Sequence, residues 1–369
     1  MFSASAKRVG LGLGLGFTAY YCHSGVHFWT SFAYADSSST NKSSKSILGG
    51  LKISDKPQCL AVSSYAARGP RASMEDEHYV SADGCFFGVF DGHGGQKVAK
   101  YARQRVFPYL VDLLKNGQSI SEALAGTFER VSEEVDAGKT MDYMGSTAVA
   151  VLLEEGKIWS ANIGDSRAVL CRNGQAFDLT KDHKPNLPAE KARIEALGGS
   201  VQWYGYLGPD RQPVPGMGAY RVNGNLAVSR ALGDKLERPF VTADPDIVSY
   251  DRDSENDQFI VLASDGLWDV MTSHDCVKFV QQILSGSVGA LYQEGGNEDY
   301  QGRPKGTGLR RIRRPSRPLS QWVNSYSEDR GVVRAVLDTR RDKMAQYLVE
   351  ESLRRGTADN VTVLVVWLR

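Results

Sequence analysis

Residues 85–96 read CFFGVFDGHGGQ, a short apolar run that stops abruptly at Asp91-Gly92-His93-Gly94-Gly95. Aromatic and β-branched residues bounded by glycines predict a buried strand over 85–90. Its polar atoms come at the carboxyl end, where open α/β layers place ligands. Asp91 is a hard oxygen donor, and Gly92 lets the backbone carbonyl approach a cation with no side chain in the way. His93 adds an imidazole able to carry a proton near neutral pH. Taken alone, the stretch equally suits a strand-to-helix turn whose Asp caps a helix starting near Gln96.

Outward from this turn, the pattern is globular from Gln58 onward. Residues 60–65 read as an edge strand, 97–114 and 120–135 as amphipathic helices, and 148–153 as an apolar strand. Residues 157–164 and 167–172 are expected to pair as strands, with Asn173-Gly174 as a turn signal. Residues 182–185 form a loop containing His183, expected to be a hydrogen-bonding residue. Pro188 opens a short helix that Gly198-Gly199 closes. The Gly- and Pro-rich stretch 201–219 suggests an exposed flap, where substrate preference would reside. A second buried strand, 259–263, runs into Ser264-Asp265-Gly266, and the chain closes with helices near 274–284 and before a strand at 361–367.

Two segments depart from this regularity. Residues 1–57 carry Lys7 and Arg8 ahead of a Gly/Leu-rich apolar run shorter than the ~20 residues that span a bilayer, and no acidic residue precedes Asp36. A basic, Ser-containing, acid-poor segment favours mitochondrial or plastid import, with a membrane tether or a disordered tail on a cytoplasmic or nuclear protein as alternatives. Residues 285–339 read as a low-complexity insertion around Arg310-Arg311-Ile312-Arg313-Arg314. It is a solvated loop, a docking surface for an acidic partner, or a gene-model artefact; Ser316 behind the arginines suits a basophilic kinase.

Over 369 residues, 44 basic against 43 acidic side chains give no stripe for nucleic acid. Five scattered cysteines with no CxxC pair exclude a disulfide framework or thiolate metal site. The remaining pattern is acidic. Glu75-Asp76, Asp91, Asp265 and Asp359 sit at turns or strand ends, with Asp165 and Asp269 close by in pattern. FFGVFDG and IVLASDG follow the same pattern, an apolar run ending in Asp-Gly, so strands lying side by side would project Asp91 and Asp265 from one sheet edge. Several like charges buried together require cations, and all-oxygen donors select Mg²⁺ or Mn²⁺ over Zn²⁺. Arg71 could fork onto phosphate oxygens.

RASMEDEH (71–78), FGVFDGHGG (87–95), GSTAVAVL (145–152), ANIGDSRAVLCRNG (161–174), DHKP (182–185), NGNLAVSRALGD (223–234), VLASDGLWDV (261–270) and GTADNVTVLVV (356–366) together resemble, in order, the motifs of the PP2C/PPM metal-dependent Ser/Thr protein phosphatases. The resemblance implies an α+β fold, an α-β-β-α sandwich of two antiparallel sheets flanked by helices, with a dinuclear centre at one end. This replaces the parallel-layer expectation for Asp91. It implies one phosphatase domain over 58–369, interrupted by the insertion, that hydrolyses phosphoserine and phosphothreonine by attack of a metal-bridging hydroxide. Asp91 would bridge two Mg²⁺ or Mn²⁺ ions, the Gly92 carbonyl would bind one, and Asp265 and Asp359 the other. Glu75 and Asp76 would act largely through bound water, and Asp165 and Asp269 would hold a weaker third ion. Arg71 would grip the phosphate and His93 protonate the leaving alkoxide. Asn360 is expected to complete the turn that aims Asp359, and Asp234 to be a turn residue. Phosphoprotein substrates and a monomeric enzyme are expected. The alternatives are a catalytically weak binding protein of the same fold, and a two-ion phosphodiesterase or nuclease.

Overall fold

The computed structural model of the chain describes residues 59, 61–138, 141–285 and 330–369. The expectations for residues 1–57, for the arginine cluster and for Ser316 lie outside them. In chain order the strands are β1 (Ala61–Ala67), β2 (Glu77–Val80), β3 (Phe86–Phe90), β4 (Gly92–His93), β5 (Gly145–Ser146), β6 (Ala148–Glu154), β7 (Lys157–Ile163), β8 (Arg167–Arg172), β9 (Gln175–Asp178), β10 (Val201–Leu207), β11 (Pro213–Val222), β12 (Leu232–Gly233), β13 (Asp246–Asp251), β14 (Asp257–Ala263) and β15 (Val361–Trp367). The α-helices are α1 (Lys97–Lys115), α2 (Ile120–Ala137), α3 (Pro188–Ala196), α4 (Asp265–Trp268), α5 (Ser273–Ser285), α6 (Arg330–Asp342) and α7 (Met344–Arg354).

Two five-stranded sheets, in the orders β1-β15-β14-β8-β9 and β13-β7-β6-β3-β2, carry the fold, and every pairing within them is antiparallel. Period-2 alternation sorts their side chains into three layers. Phe87, Val89, Val149, Val151, Ile260, Leu262, Leu364 and Val366 meet between the sheets. Phe86, Phe90, Ala148, Ala150 and Leu152 point the other way, onto α1 and α2. Val261, Ala263, Val363, Val365 and Trp367 face α5 and α7. Strands covered on both faces have no solvated side. That is why 86–90 and 361–367 read as continuous apolar runs, and why all their side chains are buried. At the start of α2 the Ser119 hydroxyl accepts from the Glu122 amide while Glu122 accepts from the Ser119 amide, a reciprocal cap.

Three expectations are corrected. β7 and β8 do not pair: β7 lies between β6 and β13, and β8 between β14 and β9, in the opposite sheet. Gly164, at φ +99°, carries the chain across the sandwich through Asp165 and Ser166, and Asn173-Gly174 turns β8 into β9 instead. β3 and β14 are likewise not neighbours but belong to different sheets, so Asp91 and Asp265 approach from opposite layers. Finally, residues 330–339 belong to α6, and two helices precede β15 rather than one. α6 docks through half-buried Val336, Leu337 and arginine stems, so its charged composition resembles a surface loop. The stretch read as a flap is the exposed hairpin β10–β11.

Candidate active site

The ends of β3 and β14, the start of β15, the β1–β2 loop and the β7–β8 crossing meet at one end of the sandwich. Hydroxyl side chains stitch the sheets together there. The Thr147 amide donates to the Asp91 carbonyl at 2.8 Å, and the Thr147 hydroxyl lies 2.7 Å from that of Ser166. Ser264 Oγ donates to Asp76 Oδ2 at 2.8 Å and accepts from the Thr362 amide at 3.0 Å. Asn360 ties down the loop that carries Arg71, Glu75 and Asp76. Its Nδ2 donates to the carbonyls of Arg68 and Ser73 at 2.7 and 2.9 Å, and its Oδ1 accepts from the Glu75 amide at 2.8 Å. The expected turn role of Asn360 is therefore present and wider, because it positions the loop 285 residues away in sequence.

Glycines are required where backbones touch. A Cβ on Gly92 would come within 2.6 Å of the Glu75 carbonyl oxygen, and one on Gly266 within 2.0 Å of the Asn360 carbonyl oxygen. Glu75 accepts from Ser73 Oγ at 2.6 Å and from the Gly95 amide at 3.0 Å, which joins the loop to the DGHGG turn.

The carboxylates converge electrostatically. Burial raises the Asp91 pKa well above the usual carboxylate range, and Asp76, Asp265, Asp165 and Asp359 raise it further. Burial likewise pushes Asp76 up to about 6, despite the hydrogen bond from Ser264, and the Asp359 carboxylate adds to the rise. Asp265 rises through burial and then through Asp165 and Asp269, and Asp269 rises mainly through burial. Asp76 Oδ1 and Asp265 Oδ1 are buried with no hydrogen-bond partner among the described residues. Such a cluster calls for positive charge.

Two cations of the chain already answer part of that demand. Arg71 Nη2 lies 2.5 Å from Asp359 Oδ2, and its Nε donates to the Ala358 carbonyl at 3.2 Å. Lys184 Nζ sits 2.5 Å from Asp165 Oδ2 and 3.8 Å from Asp269 Oδ1, where a weaker third ion was expected. Burial alone would lower the Lys184 pKa, but the aspartates raise it and keep the ammonium charged. Among the described residues, no three His, Cys, Asp or Glu side chains stand ready to grip one ion directly. An all-oxygen set with orphaned carboxylate oxygens fits a divalent ion that keeps several of its waters and takes one or two carboxylates directly. It does not fit a dry thiolate or histidine cage.

Asp234, expected only as a turn residue, places Oδ2 2.6 Å from His93 Nε2. Burial acts to lower the His93 pKa, but the Asp234 carboxylate outweighs it and holds the imidazole above the usual histidine range. His183 is the hydrogen-bonding residue expected, accepting at Nδ1 from the Gly164 amide at 3.1 Å and sharing Nε2 with Asp246 at 3.0 Å. Lys184 and Asp234 were not singled out as site residues. The local signal for each was its place in a quoted motif, Lys184 in DHKP and Asp234 at the end of NGNLAVSRALGD.

A family model described as protein phosphatase 2C matches residues 60–290. Among the similar curated proteins, rice (Oryza sativa subsp. japonica) "Probable protein phosphatase 2C 59" is 41% identical over 236 residues, covering 61% of this chain and 68% of that protein. Rice "Probable protein phosphatase 2C 8" is 31% identical and covers 91% of this chain and 81% of its own length. Among solved structures, a serine-threonine phosphatase 2C from Toxoplasma gondii superposes with a TM-score of 0.56 at 23% identity, over 86% of this chain and 97% of that one. A C. elegans sex-determining protein gives 0.59 at 24% identity, over 84% and 64%. These two likenesses show the shared fold. With the family match spanning most of the sandwich and its acidic end, the chain belongs to the protein phosphatase 2C family and is a protein serine/threonine phosphatase.

Proposed function

We propose that the enzyme depends on Mg²⁺ or Mn²⁺ and hydrolyses phosphoserine and phosphothreonine in its phosphoprotein substrates by direct attack of water on phosphorus, with no phosphoenzyme. The observation carrying this reading is the buried carboxylate cluster of Asp76, Asp91 and Asp265, with raised pKa values and orphaned oxygens. Two divalent ions held by Asp91, the Gly92 carbonyl, Asp265 and Asp359, with Glu75 and Asp76 acting largely through water, would neutralise that cluster and activate a water at neutral pH. Asp165 and Asp269 would hold a weaker third ion only in competition with Lys184.

The protein's own groups do the rest. Arg71, more than half exposed, exchanges Asp359 for two oxygens of a phosphate, onto which its planar guanidinium can fork. His93 donates a proton to the departing Ser or Thr oxygen. Among the described residues cysteine chemistry is disfavoured: Cys59, Cys85, Cys171 and Cys276 are all buried, and burial raises every one of these thiols away from the thiolate. The test is phosphopeptide hydrolysis after EDTA stripping and Mn²⁺ or Mg²⁺ restoration. Loss and recovery of activity support the reading; full activity in EDTA contradicts it.

A further inference from the structure

β4, β5 and β12 form a three-stranded sheet in which His93 lies opposite Gly145, and Gly145 opposite Gly233. Asp234 follows directly. Its amide donates to the Met144 carbonyl at 3.0 Å, and its backbone sits at φ +50° and ψ +42°. Aspartate is one of the few non-glycine residues that adopt the left-handed region readily, so the turn can be made here without a glycine and keeps a carboxylate at this point. Asp234 also occupies the cap position of the one-turn helix Lys235–Glu237, where an aspartate ordinarily accepts from the first helical amides. Here the side chain makes no capping bond. It turns inward instead, only 4% exposed, and among the described residues its one side-chain hydrogen bond is to His93 Nε2, at 2.6 Å.

The neighbour that makes room for this pair is Gly145. A Cβ there would lie 2.1 Å from Asp234 Oδ2 and 2.3 Å from His93 Nε2. A forgone cap and a glycine notch thus serve the same contact. An ionised carboxylate only accepts, so Nε2 is the donor in this bond. The ring plane is fixed, and Nδ1, which has no hydrogen bond among the described residues, is the nitrogen left for another partner.

We propose that Asp234 is a positioning residue for the phosphatase reaction, orienting His93 so that Nδ1–H is presented to the leaving Ser or Thr oxygen. The inference rests on the reading of His93 as the proton donor. In that step water oxygen bonds to phosphorus, the P–O bond to the seryl carbon chain's oxygen breaks, and that oxygen takes the His93 proton. The proton shed by the water in forming phosphate restores the balance.

The test compares kcat and KM of Asp234→Ala, Asp234→Asn, His93→Ala and the His93/Asp234 double variant on a phosphoserine peptide and on p-nitrophenyl phosphate. An alkoxide leaving group needs the proton, whereas nitrophenolate needs it little. The expected result is a fall of about 10–100-fold in kcat on phosphoserine for either Asp234 variant, a much smaller fall on the aryl phosphate, and little change in KM. The double variant should be no worse than His93→Ala alone, because residues acting as a unit are non-additive. Asp234→Asn keeps the shape, so it carries the test if the alanine variant does not fold. Equal losses on both substrates, or losses that multiply with that of His93→Ala, overturn the inference. Wild-type activity on phosphoserine left intact by His93→Ala overturns the proton-donor role beneath it.

Discussion

At the residue scale, the site is a set of oxygen donors whose chemistry is local but whose meeting is not. The DGHGG turn announces Asp91, Gly92 and His93 in a single stretch, because a strand end, a bare carbonyl and an imidazole are adjacent in sequence. Contacts across the chain are silent there. Arg71 and Asp359 are 288 residues apart, and His93 and Asp234 are 141 apart. Asp234 therefore reads as a turn residue until folding brings the carboxylate to the ring. Asp91→Asn should reduce phosphopeptide turnover to background while circular dichroism stays native. Because it removes one charge from a mutually repelling buried cluster, the same variant should melt higher than wild type when both are metal-free. A lower metal-free melting temperature would contradict the electrostatic picture. Asn360→Ala should cost about 1–3 kcal/mol by leaving the Arg68 and Ser73 carbonyls and the Glu75 amide without their partner. Because those bonds hold the loop bearing Arg71, KM for phosphopeptide should rise as well, which steady-state kinetics can check.

At the element scale, hydrophobic alternation discloses that a strand exists but not which strand lies beside it. Residues 157–163 and 167–172 look like a hairpin because three residues separate them. In fact Gly164–Ser166 is a crossing between layers, and the crossing is what delivers Asp165 and Ser166 to the site. The α3 region shows a second kind of hidden order. Glu190 accepts from Arg230 at 2.7 Å and from Arg193 at 2.9 Å, and Arg230 reaches on to Asp246, which also holds His183. Burial would raise the Glu190 pKa, but the hydrogen-bonded Arg230 and Arg193 hold it down at about 2, against an ordinary value of 4.5. A carboxylate with a depressed folded pKa adds stability above its unfolded pKa and loses it as pH falls through the folded one. Glu190→Ala should therefore destabilise by about 3 kcal/mol near neutrality, with the buried Arg230 left partly unpaired. The gap to wild type should shrink between about pH 4.5 and pH 2 in denaturant titrations. A gap independent of pH would show that the network contributes packing alone.

At the scale of the whole molecule, two packed sheets and their covering helices form a clamp only in the sense that one end of the sandwich gathers like charges. The sandwich itself was legible only through its motif order, because the continuous apolar strands taken alone suggested parallel layers. α6 was not, since a helix docked by arginine stems has the composition of a loop. Such a clamp without cations should be less stable than with them. Saturating Mn²⁺ at a hundred times its dissociation constant adds about 2.7 kcal/mol, and differential scanning calorimetry should show a melting temperature several degrees higher. The most direct test of the convergence of these carboxylates is calorimetric titration of metal-stripped protein with Mn²⁺. Saturable binding of two ions by wild type, weakened or reduced in number in Asp91→Asn, is the predicted result. No saturable binding, or an identical isotherm for the two proteins, would contradict it.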